Sequence, residues 1–237
     1  MAGFRPQFWP TAFAAPALLV LLGLGSWQIQ RHFWKTRLIA ERAAAVASPV
    51  VPVPQTLARA RRLEFHRVVA EGVFLHEKEI YLGASAGAGR IGYQVLTPLR
   101  EPDGSIVFIN RGFIPAELKS PVKRADGQIP GTVRIVGLLR LPPKGRPNWF
   151  LPDNRPDLNY WFWIDLPAMA AAAALERVAP FYIDADAAPN PGGWPRGGVT
   201  QPALPNDHLQ YALTWFSLAV ALIVIYLLYH RRRAGAE

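Results

Sequence analysis

The sequence predicts a membrane-anchored α+β protein in which two transmembrane helices flank a mainly antiparallel β extramembrane domain with a short helix. Three observations carry this. Residues 6–30 contain no charged side chain, and neither do residues 209–229. At about 1.5 Å per residue, either stretch can cross a hydrocarbon core of roughly 30 Å. Between them the chain turns to short runs of Val, Ile, Phe and Tyr punctuated by turn residues, which is a strand pattern.

The element order follows from these signals. Residues 1–9 form a tail, 10–30 the first span, and 31–47 an amphipathic helix continuing from it, with Trp27, Arg31, Trp34 and Leu38 on one face. Prolines 49, 52 and 54 exclude helix beyond that point. Residues 48–207 make the β domain, with strands expected in "HRVVAEGVF", "KEIYLG", "GYQVLTPL", "SIVFINRGFIP", "TVRIVGLLRLP" and "PFYIDAD". "EPDGS" reads as a hairpin turn, "GASAGAG" as another turn, and "KSPVKRADGQIPG" as a longer polar loop. In "IDLPAMAAAAALERVA" Asp165 caps a helix that the alanine run continues. Residues 208–229 are the second span and 230–237 a tail. The pattern does not reveal whether the sheet closes into a barrel.

Two spans place both termini on one side. Arg231, Arg232 and Arg233 favour a cytoplasmic C-terminus and a periplasmic domain, while Arg31, Lys35, Arg37 and Arg42 pull the other way. Long translocated domains largely escape the charge rule, so cytoplasmic termini are expected. A cleaved signal peptide is the alternative for the first span. "GLGSWQIQRHFWK" is a poor cleavage site, and the segment is read as an uncleaved anchor.

The 237 residues include no cysteine, which excludes disulfides, thiolate metal sites and CxxC redox chemistry. The net charge of +9 comes from membrane-flanking and scattered basic residues such as "RARR" at 59–62, and no nucleic-acid partner is expected. There is no GxSxG, P-loop, strand-borne GxGxxG or HExxH motif, which argues against an enzyme. None of the five histidines stands at chelating spacing from another, and "HEKE" at 76–79 reads as a solvated charged turn.

His208 differs from the other histidines. It begins the second span beside Asp207, and Tyr211 and Trp215 share its helix face. An imidazole there could hold the iron of a porphyrin, with aromatic rings packing on the macrocycle; without CxxCH the attachment would be non-covalent. The alternative is an interfacial histidine satisfied by water and headgroups.

"GSWQIQRHFWKTRLI", "NRGFIP", "PDLNYWFWIDLPAMA", "PFYIDA", "PGG" and "NDHLQYALTWF", in that order between about Leu24 and Leu227, resemble the Surfeit locus/Shy family of cytochrome c oxidase assembly factors. The resemblance implies a non-enzymatic factor that assists insertion of haem A into oxidase subunit I, or its retention there. It makes His208 the candidate axial ligand, with Tyr211, Trp215 and Trp27 flanking a transiently held haem A. The implied partners are cytochrome c oxidase subunit I, haem A synthase and the lipid bilayer. Family membership also weights Gly72, Arg111, Gly112, Asn159, Trp161 and Asp165, for which fold maintenance is expected: Gly72 relieving strand crowding, Gly112 forming a bulge, Asp165 capping a helix. No long Arg- and Ser-rich transit segment precedes the first span, so a bacterial inner-membrane member is expected. The rival functions are a haem-free scaffold whose spans pack through Gly23, Gly25, Ala212 and Ala219, an exported anchored hydrolase, and a resident oxidase subunit.

Overall fold

The computed structural model describes residues 6–86, 90–198 and 204–234. It falls into two units: the chain ends, up to Glu41 and from Ala203, and the segment Arg42–Pro202. The last three residues of "GASAGAG" and the side chains of Arg232 and Arg233 lie outside the described residues.

The first unit is a helix pair, and both helices are long and apolar enough to cross a membrane. Helix α1, Phe8–Val46, runs unbroken through the apolar and amphipathic stretches. Its 39 residues reach roughly 58 Å, about twice a hydrocarbon core. Ser48 closes it, its Oγ donating to Ala45 O (2.7 Å), because Pro49 bars its predecessor from helical backbone. The last helix of the chain, His208–Ala234, packs antiparallel to α1. Thr11 and Tyr226 share a hydroxyl hydrogen bond (2.6 Å), and Gln7 N donates to His230 Nε2 (3.2 Å). Small residues set the approach, as membrane helix interfaces require: Ala212 and Ala219 are buried, and a Cβ on Gly25 would stand 2.7 Å from the Phe216 ring. Gly23, expected at this seam, faces open space instead.

The second unit is built on seven strands: β1 Val51–Pro52, β2 Arg67–Phe74, β3 Ile80–Ala86, β4 Arg90–Arg100, β5 Ile106–Pro115, β6 Thr132–Arg140 and β7 Val178–Ala185. Their order is β1-β2-β6-β7-β5-β4-β3, and the sheet closes because β2 also pairs with the end of β4, Val73 opposite Arg100 and Phe74 opposite Leu99. Strands β2, β6, β7, β5 and β4 thus form a five-stranded Greek-key barrel of the OB type. All its pairings are antiparallel except β5 with β7. Along β2 burial alternates with period two, as the pleat demands, and Val68, Ala70 and Phe74 join Leu99, Val107, Ile109, Leu139, Phe181 and Ile183 in the barrel core. Strand β5 is buried on both faces, since Phe108 on its outer side belongs to a second cluster with Trp161, Leu166 and Met169.

Three segments differ from the sequence reading. The "RARR" run lies in a capped helix, α2 Leu57–Arg62, which turns Ala60 into the core and carries its arginines outward. The polar loop holds a 3₁₀ segment, Pro121–Gly127, with another, Ala116–Leu118, just before it, and Arg124 within the loop is buried. The Asp165-capped helix, α3 Leu166–Ala172, stops short of the end of its alanine run: Ala174 takes positive φ (50°), and Leu175 folds back onto the second cluster. Counting α3, the C-terminal helix is α4.

The barrel seam depends on Gly72, where a Cβ would lie 2.2 Å from the carbonyl oxygen of Arg100, the residue that closes β2 on β4. Gly72→Ala therefore destabilises the domain by about 2–3 kcal/mol through overpacking against backbone. Gly23→Ala, with nothing within 4 Å, leaves stability unchanged. Thermal unfolding in mild detergent compares the two.

Candidate functional site

Helix α4 begins at His208. Asp207 stands just before it, where negative charge favours a helix N-terminus, and Tyr211 N donates to Asp207 O (3.2 Å). His208 Nδ1–H donates to Gln28 Oε1 on α1 at 2.7 Å. The ring is half-buried, and among the described residues its Nε2 has no hydrogen-bond partner. Two contacts along α1 fix this geometry. One turn before Gln28, Gly25 lets Phe216 lie against the helix backbone. One to two turns beyond, Asn206 Nδ2 donates to Thr36 Oγ1 (3.1 Å) and His32 O (3.4 Å). His230, near the other end of α4, differs: its Nδ1 donates to Tyr226 O (2.8 Å) and its Nε2 accepts from Gln7 N, so both nitrogens are used.

Trp215 is half-buried beside the helix seam, whereas Tyr211 and Trp27 are 57 % and 53 % exposed. A second imidazole, His32, follows Gln28 by one turn, and its buried Nδ1 makes no hydrogen bond. An open groove of about 850 Å³ runs along the side of α4 that carries Leu209, Gln210, Leu213, Thr214 and Ser217, and His208 does not line it.

Arg111 and its neighbours form a buried polar knot in the barrel domain. Glu79, 5 % exposed, accepts from Arg124 NH2 and NH1 (2.5 and 3.2 Å), from Tyr81 OH (3.1 Å) and from Gln128 Nε2 (3.2 Å). Arg111 NH1 stands 3.6 Å away, and its NH2 donates to Gly127 O and Asn190 Oδ1 while the guanidinium covers the Phe74 ring. His76 Nδ1 lies 3.7 Å from Glu79, too far for a hydrogen bond, and its Nε2 meets Ile129 O. "HEKE" is therefore anchored through Glu79 in the interior and is no solvated turn. Burial alone would raise the Glu79 carboxyl, but the His76 ring, the bound Arg124 and the Arg111 charge together hold it down at about 2. Burial and the Glu79 charge push the Tyr81 hydroxyl up to about 12, and burial lowers Arg111 to about 10.

The remaining motif residues sit around this knot. Asn159, at positive φ, donates from Nδ2 to Glu79 O (2.7 Å), and the buried Trp161 donates its backbone N–H to Tyr81 O (2.9 Å). Asp165 Oδ1 accepts from Ala168 N (3.1 Å). Gly112, at φ +112°, faces the Arg196 carbonyl where no side chain fits. Among the described residues no group of three His, Asp or Glu side chains could hold a metal ion.

Residues 15–220 match the model of the SURF1 family. The chain is 38 % identical to mouse Surfeit locus protein 1 over 214 residues, 84 % of this chain and 68 % of the mouse protein. It is 37 % identical to human Surfeit locus protein 1, covering 84 % and 70 %, and 37 % identical to the SURF1-like protein of Monosiga brevicollis, covering 92 % and 85 %. The chain belongs to the SURF1 family. In this SURF1 protein two stretches 180 residues apart, "GSWQIQ" and "NDHLQYALTWF", meet through Gly25–Phe216 and Gln28–His208. Sequence reasoning missed Gln28 because one glutamine in an apolar span gives no signal of its partner; its place in the quoted stretch "GSWQIQRHFWKTRLI" was a cue.

The Glu79 knot yields two expectations. Glu79→Gln leaves two buried guanidiniums without their carboxylate and costs about 3–5 kcal/mol. In the native protein the carboxyl lies below its ordinary value of 4.5, so its stabilisation is complete above about pH 4.5, shrinks as pH falls towards 2 and is gone below that. Unfolding midpoints between pH 7 and 2 should show this acid slope in wild type and a reduced one in Glu79→Gln.

Proposed function

We propose that this SURF1 protein is a non-enzymatic assembly factor for haem-copper cytochrome c oxidase, holding haem A transiently through His208 and assisting its insertion into subunit I. The supporting observation is the state of His208: Nδ1 is engaged by Gln28, which leaves the Nε2 lone pair as the coordinating atom. Trp215, Tyr211 and Trp27 would offer apolar surface to the macrocycle and its hydrophobic tail. The half-exposed ring fits a cargo that arrives and departs along the membrane surface. Haem A would be received from haem A synthase and passed on, or retained while subunit I folds. The proposed setting is the bacterial inner membrane, with both termini cytoplasmic and the barrel periplasmic. The antiparallel helix pair brings Gln7 beside His230 and Thr11 beside Tyr226, in keeping with that topology.

A haem-free scaffold is the second reading, and the groove on α4 favours it. Gln210, Thr214 and Ser217 place polar and small side chains along one strip of an apolar span, a surface suited to docking another membrane helix.

Co-expression with haem A biosynthesis followed by purification in mild detergent separates the two. The carrier reading expects a haem A spectrum in wild type that is lost in His208→Ala at unchanged protein yield. Oxidase subunits co-purifying with both proteins, without haem in either, would support the scaffold.

A further inference from the structure

We infer that Gln28 is a positioning residue: by accepting the Nδ1 proton of His208 it fixes the imidazole as the Nδ1–H tautomer and makes Nε2 the ligating atom. The inference rests on His208 being the haem ligand and adds the residue that prepares it. A neutral imidazole carries one proton, and only its bare nitrogen can bind iron. The Gln28 carbonyl oxygen can only accept, so the 2.7 Å contact requires the proton on Nδ1. Were the amide turned the other way, its NH₂ would donate to Nδ1 and the ring proton would sit on Nε2, blocking coordination.

The surrounding contacts make this a built arrangement. Gly25, one turn before Gln28, admits Phe216, and a methyl there would stand 2.7 Å from its ring. Asn206, two residues before His208, is tied to Thr36 and to the carbonyl of His32. The start of α4 is thus held in height and rotation on both sides of the Gln28–His208 bond. A partner on the far nitrogen also raises the basicity of the ligating one, and losing such a partner typically costs about 10–100-fold in metal affinity.

The test uses the full chain in detergent, as wild type, Gln28→Leu and Gln28→Glu. In protein from cells lacking haem A, labelled with ¹⁵N-histidine and assigned by His208→Ala, the ¹⁵N shifts of wild type should show Nδ1 protonated and Nε2 bare. In Gln28→Leu this preference should disappear. In protein from cells making haem A, Gln28→Leu should lose haem affinity by about 10–100-fold with unchanged thermal unfolding. Gln28→Glu should restore binding and lower the reduction potential of the iron, because a carboxylate draws harder on the Nδ1 proton. An Nε2–H tautomer in wild type overturns the inference. So does a Gln28→Leu protein that binds haem with wild-type affinity and potential, an outcome that leaves His208 as ligand. Wild type without haem A, from cells that make it, overturns the ligand reading itself.

Discussion

The β unit depends on one buried carboxylate. Glu79 sits immediately before β3, yet its oxygens take Arg124 from the segment after β5 and lie beside Arg111 of β5 itself. Two guanidiniums at 2 % and 5 % exposure would each cost several kcal/mol of lost hydration if left alone. With one carboxylate between two positive charges, the remaining donors must find other acceptors. Arg124 Nε finds Leu118 O, Arg111 NH2 finds Gly127 O and Asn190 Oδ1, the face of Phe74 covers Arg111, and the buried Arg111 NH1 has only the Glu79 charge at 3.6 Å. The long excursion between β5 and β6 is therefore held on the barrel by charge as well as by Leu118, which packs against Tyr81, Val95 and Ile114. Val122, in the same segment, points outward at 85 % exposure.

The helix pair obeys the same rule in a different solvent. A polar group inside a bilayer must be satisfied within the protein. Three polar pairs cross the seam: Gln7 N with His230, Thr11 with Tyr226, Gln28 with His208. These pairs agree with the antiparallel register that Gly25 against Phe216 and the buried Ala212 and Ala219 also define. His208 is the exception within the pattern, because its pairing uses one nitrogen and leaves the other.

The architecture was legible in the sequence wherever it rests on local signals. Two charge-free stretches, the strands rich in Val, Ile, Phe and Tyr and the turn at Asp103–Gly104 all reappear, since each is dictated by residues close together in the chain. Barrel closure was not legible, because it turns on two residue pairs between β2 and β4 and on a glycine whose neighbour, Arg100, is 28 positions away. The burial of Glu79 and Arg124 was hidden for a similar reason: "HEKE" and "KSPVKRADGQ" each look solvated, and only their juxtaposition removes both from water. At the helix pair, His208 stood out by its place at the start of a span, whereas Gln28 acquired meaning only once the two helices were set side by side.

The features that bear on the proposed role lie in the helix pair. A carrier must recognise its cargo without trapping it, so its hold should be a single reversible bond prepared in advance rather than an enclosing pocket. A chain with no cysteine cannot attach haem through thioethers. At the start of α4, one prepared nitrogen and two rings more than half exposed make an open shelf. Orientation then has to come from rigidity: the ring is fixed by Gln28, Gln28 by the close approach of Phe216 to Gly25, and the helix start by Asn206. Loosening any member of that series costs precision at Nε2 before it costs the fold.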